Sequence, residues 1–117
     1  QVTFLQEAAS KNSLAVTNQV VITTTLDGTV KAFDRQTGEP LWENKDLAYR
    51  QLSNPELIGN YIAIGDLDGV IHFLSPEDGR IVSRTQSKGP VTKLTSQGGY
   101  LLTQTKSGQV SVWRLAR

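Results

Sequence analysis

The 117-residue chain has no cysteine, no methionine and a single histidine, and its aromatic residues are few: two Trp, three Tyr and three Phe. The lack of cysteine excludes disulfides, zinc–thiolate sites, iron–sulfur clusters and thiol nucleophiles, while leaving the compartment open, because secreted proteins can also lack it. Charge of one sign is equally scarce: 12 Lys+Arg stand against 11 Asp+Glu, a net charge of +1. Such a balance creates no field strong enough to make nucleic acid or an anionic membrane surface the main partner. No apolar run approaches the roughly 20 residues of a membrane-spanning helix, and no basic, apolar, small-residue leader opens the chain. The start at Gln1-Val2-Thr3, without an initiator Met, reads as a processed or truncated piece. What is present is ordinary for a folded protein: 38% AVILMFWYC plus ten Gly, enough for a core and too apolar for a disordered chain.

Three segments superimpose without gaps. The first runs from Ala15 to Phe33, the second from Glu56 to Leu74 and the third from Thr95 to Trp113. Asp27-Gly28, Asp68-Gly69 and Ser107-Gly108 share one station, at spacings of 41 and 39 residues. A second glycine turn, Thr37-Gly38 and Asp78-Gly79, repeats at 41. Each unit reads as short strands: Val20 to Thr25 and Tyr61 to Ile64 are rich in β-branched and aromatic residues and end near a turn dipeptide. The Asp-Gly pairs predict two-residue type I′ hairpins, in which both central positions need φ > 0. In the next strand Val30 and Ala32 face inward and Lys31 outward. No stretch keeps a helical apolar period over three turns; Asp46 to Leu52 is the nearest and is too short.

Four strands in about 40 residues is the size of a propeller blade. The expected fold is therefore all-β, built of four-stranded antiparallel blades. Residues 1–13 are read as the end of a preceding blade with its crossover, 14–46 as a blade, 47–88 as a crossover and blade, and 89–117 as a last, incomplete blade. Just under three blades cannot close a ring that typically takes about 4 to 8. The flanking blades would each leave an apolar face uncovered, so the chain is expected to belong to a larger propeller or to assemble with copies of itself.

The run Asp27-Gly28-Thr29-Val30-Lys31-Ala32-Phe33-Asp34-Arg35-Gln36-Thr37-Gly38-Glu39-Pro40-Leu41-Trp42 resembles the repeat of quinoprotein-type propellers, Ala-x-Asp, a Thr-Gly turn, and a Trp four residues after that Gly. Ala32, Asp34, Gly38 and Trp42 match; the resemblance implies that Trp42 packs on a glycine turn of a neighbouring blade. In the second unit Gly79 remains, while Phe73, Ser75 and Ser83 replace Ala, Asp and Trp. Among such propellers, Leu47-Ala48-Tyr49-Arg50-Gln51-Leu52-Ser53-Asn54-Pro55-Glu56-Leu57, Gly59 to Asp66, Pro76 to Arg80 and Ser107-Gly108-Gln109-Val110 resemble the C-terminal part of the BamB family, lipoproteins of the outer-membrane β-barrel assembly machine. The resemblance covers essentially the whole chain. It implies an eight-bladed propeller, no cofactor, and a non-enzymatic scaffold on the periplasmic side of the bacterial outer membrane. The implied partners are the periplasmic domains of BamA and the Bam complex, with contact to the membrane only through a lipidated Cys upstream of this chain. It also implies that Val2 to Gln6 is an outer strand, and that the strand missing after Gln109 to Leu115 comes from the N-terminus of the full protein, covering an open edge.

Chemistry-bearing residues read blandly in this frame. His72 aligns with Lys31 and Ser111 and is expected to be a solvated strand residue, with Ile71 and Phe73 facing the other way; no second His or Cys exists to complete a metal or catalytic site. Asp66-Leu67-Asp68-Gly69 and Glu77-Asp78-Gly79 are read as turns, lacking the further oxygen ligands of a calcium loop. No serine has a base to activate it, and Gly98-Gly99 lacks the helix and Lys of a phosphate loop. Trp42 and Trp113 are expected between blades. Leu47, Tyr49 and Arg50, in a crossover of the kind that gathers on one propeller face, are the candidate partner-binding rim. The bland alternative is that Arg50 pairs with Asp46 or Glu56 and Tyr49 fills the crossover. Two rival functions share parts of the pattern. A quinone-dependent dehydrogenase would need a cation constellation and commonly a cofactor-side disulfide, and a WD-type interaction propeller would carry Gly-His and Trp-Asp dipeptides, absent here.

Overall fold

The computed structural model describes residues 13–114, apart from 26, 88 and 98. The expectations placed on residues 1–12, including the strand at Val2 to Gln6, and on 115–117 lie outside the described residues. Those described contain strands and turns and no helix. The first sheet joins β1 (Ser13–Val16), β2 (Val20–Thr24), β3 (Val30–Asp34) and β4 (Pro40–Asn44) in chain order. The second joins β5 (Glu56–Ile58), β6 (Tyr61–Gly65), β7 (Val70–Leu74) and β8 (Ile81–Gln86) in the same way. The third contains β9 (Val91–Gln97), β10 (Tyr100–Thr105) and β11 (Val110–Arg114). All pairings are antiparallel. Ala32 pairs with Trp42 and Phe73 with Ser83, and a bulge interrupts both outer ladders at the next residue. These are propeller blades, each strand returning through a tight turn to its neighbour.

The turns between second and third strands differ from the two-residue type I′ form. Asp66 N–H donates to Val70 O at 3.0 Å and Gly69 N–H to Asp66 O at 3.1 Å, so three residues, Leu67 to Gly69, make the loop. The same pair of bonds closes the turns that begin at Thr25 and Thr105. Only the glycine of each Asp-Gly pair takes positive φ, +89° at Gly28 and +86° at Gly69, so this loop needs one left-handed residue, not two. The residue that starts each turn also secures it with its side chain. Thr25 Oγ1, Asp66 Oδ1 and Thr105 Oγ1 each accept the N–H four residues on, from Thr29, Val70 and Gln109.

The middle blade is covered on both faces. Ile22, Val30, Ala32 and Leu47 meet Ile62, Ile64 and Leu74 in one core cluster. The opposite face of the middle blade, with Ile58, Ala63 and Ile71, meets Val91, Leu94 and Leu101 in a second. The outward face of the third blade is open, with Val110 and Val112 63% and 62% exposed; on the first blade Leu41 is 51% exposed, while Val21 and Thr23 are buried.

Candidate functional site

The crossover over residues 45–55 leaves β4, passes over the turn of its own blade and enters the middle blade. Tyr49 N–H donates to Asp27 O at 2.9 Å, Arg50 O accepts Leu67 N–H at 3.4 Å, and Ser53 N–H donates to Gly65 O at 2.8 Å. The path demands glycine at 28: a Cβ there would stand 2.6 Å from Leu47 O and 2.9 Å from Tyr49 N, and φ is +89°. Tyr49 and Gln51 themselves adopt φ of 65° and 53°, which bulky residues adopt only when their surroundings enforce it. The loop thus holds its backbone at fixed points while displaying the Tyr49 ring, 88% exposed.

The three rim candidates therefore separate. Leu47 is fully buried, packed in the core cluster with Ile22 and Ile64, so it anchors the crossover from beneath and offers a partner nothing. Tyr49 projects to solvent and does not fill the crossover. Arg50 pairs with neither Asp46 nor Glu56: its Nη1 lies 3.6 Å from Asp66 Oδ2 and 3.7 Å from Asp68 Oδ2. Glu56 is occupied elsewhere, accepting Ser96 N–H at 3.1 Å and Ser96 Oγ–H at 3.0 Å.

His72 corrects the sequence expectation most sharply. It is 1% exposed, with Nε2 2.7 Å from Asp66 Oδ2, and Arg84 Nε donates to its Nδ1 at 3.2 Å. The alternation of β7 does point His72 away from Ile71 and Phe73, but in an interior blade that other face meets the first blade and not water. The signal missed was Asp66. Its station carries Thr25 and Thr105 in the other units, and a carboxylate there has a second oxygen free to hold an imidazole. Burial pushes the His72 pKa down, the bond to Asp66 opposes this, and the positive charges of Arg84 and Arg50 reinforce it. Asp66 is itself fully buried, with Oδ1 accepting the Asp68 and Val70 N–H groups at 2.9 and 3.0 Å and Oδ2 shared by His72 and Arg50. Its oxygens are committed to turn and network, and no grouping of three or more His, Cys, Asp or Glu suited to a metal occurs among the described residues.

On the outer side of the blades, Trp42 lies on the Gly79 turn. A Cβ at Gly79 would sit 2.3 Å from the ring, and the indole Nε1–H donates to Pro76 O at 2.9 Å. Asn44 adds a bond from Nδ2 to Gly79 O at 2.6 Å. Ala32 is buried beneath Trp42 as its strand partner, and Asp34 Oδ1 accepts the Gln36 and Thr37 N–H groups, shaping the turn that closes at Gly38. The next junction works differently. Asn54 Nδ2 donates to Leu94 O and Asn54 Oδ1 accepts Leu94 N–H, both at 3.0 Å, so one side chain substitutes for a strand neighbour of β9. Trp113 packs against the same junction's core and donates Nε1–H to Thr103 Oγ1 at 3.1 Å.

Known proteins are similar to this chain in sequence and in fold. A family profile described as outer membrane protein assembly factor BamB matches residues 2–93. The curated relatives of that name include one from Taylorella asinigenitalis, 33% identical over 109 residues, and one from Escherichia coli, 31% identical over 112 residues. These alignments cover 91% and 94% of this chain but only 28% and 29% of the relatives, so the chain spans under a third of their length. The crystal structure of BamB from Moraxella catarrhalis superimposes with a TM-score of 0.84 at 49% identity, covering 87% of this chain and 31% of that one. The β-propeller domain of Myceliophteria thermophila Cps50 (Swd1) superimposes with a TM-score of 0.70 at 12% identity, covering 87% of this chain and 33% of that one, a likeness of fold alone.

Proposed function

From the premise that this chain belongs to the BamB family of outer membrane protein assembly factors, we propose that it is part of a non-enzymatic scaffold that binds the periplasmic domains of BamA and assists the insertion of outer-membrane proteins. On this reading it works on the periplasmic side of the outer membrane within the Bam complex, tethered by a lipid anchor upstream. The remaining blades of the ring would cover the exposed Leu41 and the open face at Val110 and Val112, which suits a chain spanning under a third of its relatives.

The observation that carries a binding role for this segment is the presentation of Tyr49. A flat aromatic group, 88% exposed, stands on a loop already fixed by backbone bonds on both sides. Tyr and Arg are favoured interface anchors, and a preorganised loop loses little entropy on association. Arg50, held by two carboxylates, serves as the post of that loop and as the polar part of the rim. The test is the affinity of the intact protein for the BamA periplasmic domains. Tyr49→Ala should raise Kd about tenfold with the fold unchanged; an unaltered Kd removes the crossover from the interface.

A further inference from the structure

We propose that Arg50, Asp66, His72 and Arg84 form a proton-operated clasp that fastens the 45–55 crossover to the middle blade and loosens when His72 gains a proton. The four side chains connect in series from the crossover through the turn and β7 to the exposed outer strand β8. Arginine can only donate, so the bond from Arg84 Nε requires Nδ1 of His72 to be bare and places the ring proton on Nε2, directed at Asp66 Oδ2. The wired state is therefore the neutral imidazole.

Charge points the same way. With His72 neutral, the guanidinium groups of Arg50 and Arg84 are balanced by the carboxylates of Asp66 and Asp68. Asp66, Arg84 and Arg50 are the charged groups acting on the ring; its neighbours on the same face of the sheet, Ile64 and Leu74, belong to an apolar core cluster. A second ring proton leaves a surplus positive charge in a site where Asp66 and His72 are almost wholly buried, and it puts an N–H where Arg84 must donate. Arg84 has solvent beside it and leaves. The imidazolium then competes with Arg50 for Asp66 Oδ2, and Arg50 is left with Asp68, whose side chain is 74% exposed. The crossover has reason to move once released: Tyr49 and Gln51, flanking Arg50, hold left-handed backbone conformations that relax when the tie slackens. Its bond from Leu67 N–H to Arg50 O, already 3.4 Å, is the one to open. The clasp stands whether or not Tyr49 meets a partner.

Nitrogen-resolved NMR and amide hydrogen exchange on the intact protein test it. His72 should show the Nε2–H tautomer at neutral pH. The protection factor of the Leu67 amide should fall about tenfold or more as His72 titrates, while that of Ile64 in β6 holds. Arg84→Ala, a change on the exposed strand, should raise the His72 pKa and carry the Leu67 transition to higher pH with it. An Nδ1–H tautomer, Leu67 protection indifferent to the His72 titration, or an unmoved titration in Arg84→Ala each overturns the clasp.

Discussion

Where the first blade meets the second, the outer strand lays Trp42 across the Gly79 turn and Asn44 bonds the Gly79 carbonyl, while the inner strands β1 and β5 bring apolar neighbours together. Where the second meets the third, Ser83 occupies the Trp42 station. The fastening moves inward to Asn54 and Glu56, which bond the backbone of Leu94 and Ser96 on the inner strand β9. At the corresponding stations the sequence of the first blade has Ser13 and Ala15, neither an amide nor a carboxylate. The repeat thus conserves strand order and turn geometry, and each junction satisfies the same need, a low-entropy bridge between sheets, with different chemistry. One uses an aromatic plate on a residue without a side chain; the other uses side-chain amide and carboxylate as a surrogate ladder.

The comparison is broken most forcefully at Gly79. Gly79→Ala places a Cβ 2.3 Å from Trp42 Cε3 at φ +76°, and should cost about 3 kcal/mol, no less than the loss from Trp42→Ala. Because both changes remove one contact, the double variant should be far less than additive in urea unfolding. Full additivity would show that Trp42 and Gly79 act separately. Asn54→Ala comes next, at about 2 kcal/mol, because it leaves the N–H and C=O of Leu94 without their partner inside a packed junction. Glu56→Gln should be milder, below about 1 kcal/mol, since an amide oxygen still accepts from Ser96. A Glu56→Gln loss as large as that of Asn54→Ala would mean that charge, not the surrogate ladder, holds this junction.

The two junctions also share a pH-dependent element between them, the middle blade. Since the folded His72 pKa is pushed below its ordinary value of 6.5, the unfolded chain takes up the proton first. Its contribution is fully present above pH 6.5 and is lost as pH falls from there toward the folded pKa; stability measured across that range should decline, and His72→Gln should flatten the decline. The smallest effect lies at the exposed Asp34 turn. Hydrogen bonds from the Thr37 and Gln36 amides lower its pKa below 3.8, so its support holds above 3.8 and fades only under stronger acid. Asp34→Asn should leave neutral stability nearly unchanged and remove that acid-range component.

Much of this architecture is legible in the residues. The glycine stations and the β-branched runs mark strands and blades because hairpin turns and pleated, half-buried surfaces accept few residue types. Trp42 and Gly79 stand out for the same reason, a large flat group four residues after one glycine turn and a second glycine turn 41 residues after the first. His72, Asp66 and Arg50 are less readable. Alternation tells which residues share a face, but in a blade flanked on both sides neither face is solvent, so a polar residue there has to find partners from elsewhere in the fold. Arg50 found its carboxylates 16 and 18 residues along the chain, beyond any local pairing rule.

By itself the sequence determined the period, the strands, the turn stations and the kinship, because these follow from local backbone demands repeated at 39 to 41 residues. Only the tertiary structure decided that Leu47 is an anchor and Tyr49 a display, that Asn54 reaches Leu94, and that His72 is wired between Asp66 and Arg84. The physical reason is that burial and charge pairing belong to the stacking of blades. The same residue is solvated on an isolated sheet and enclosed once a second sheet lies over it.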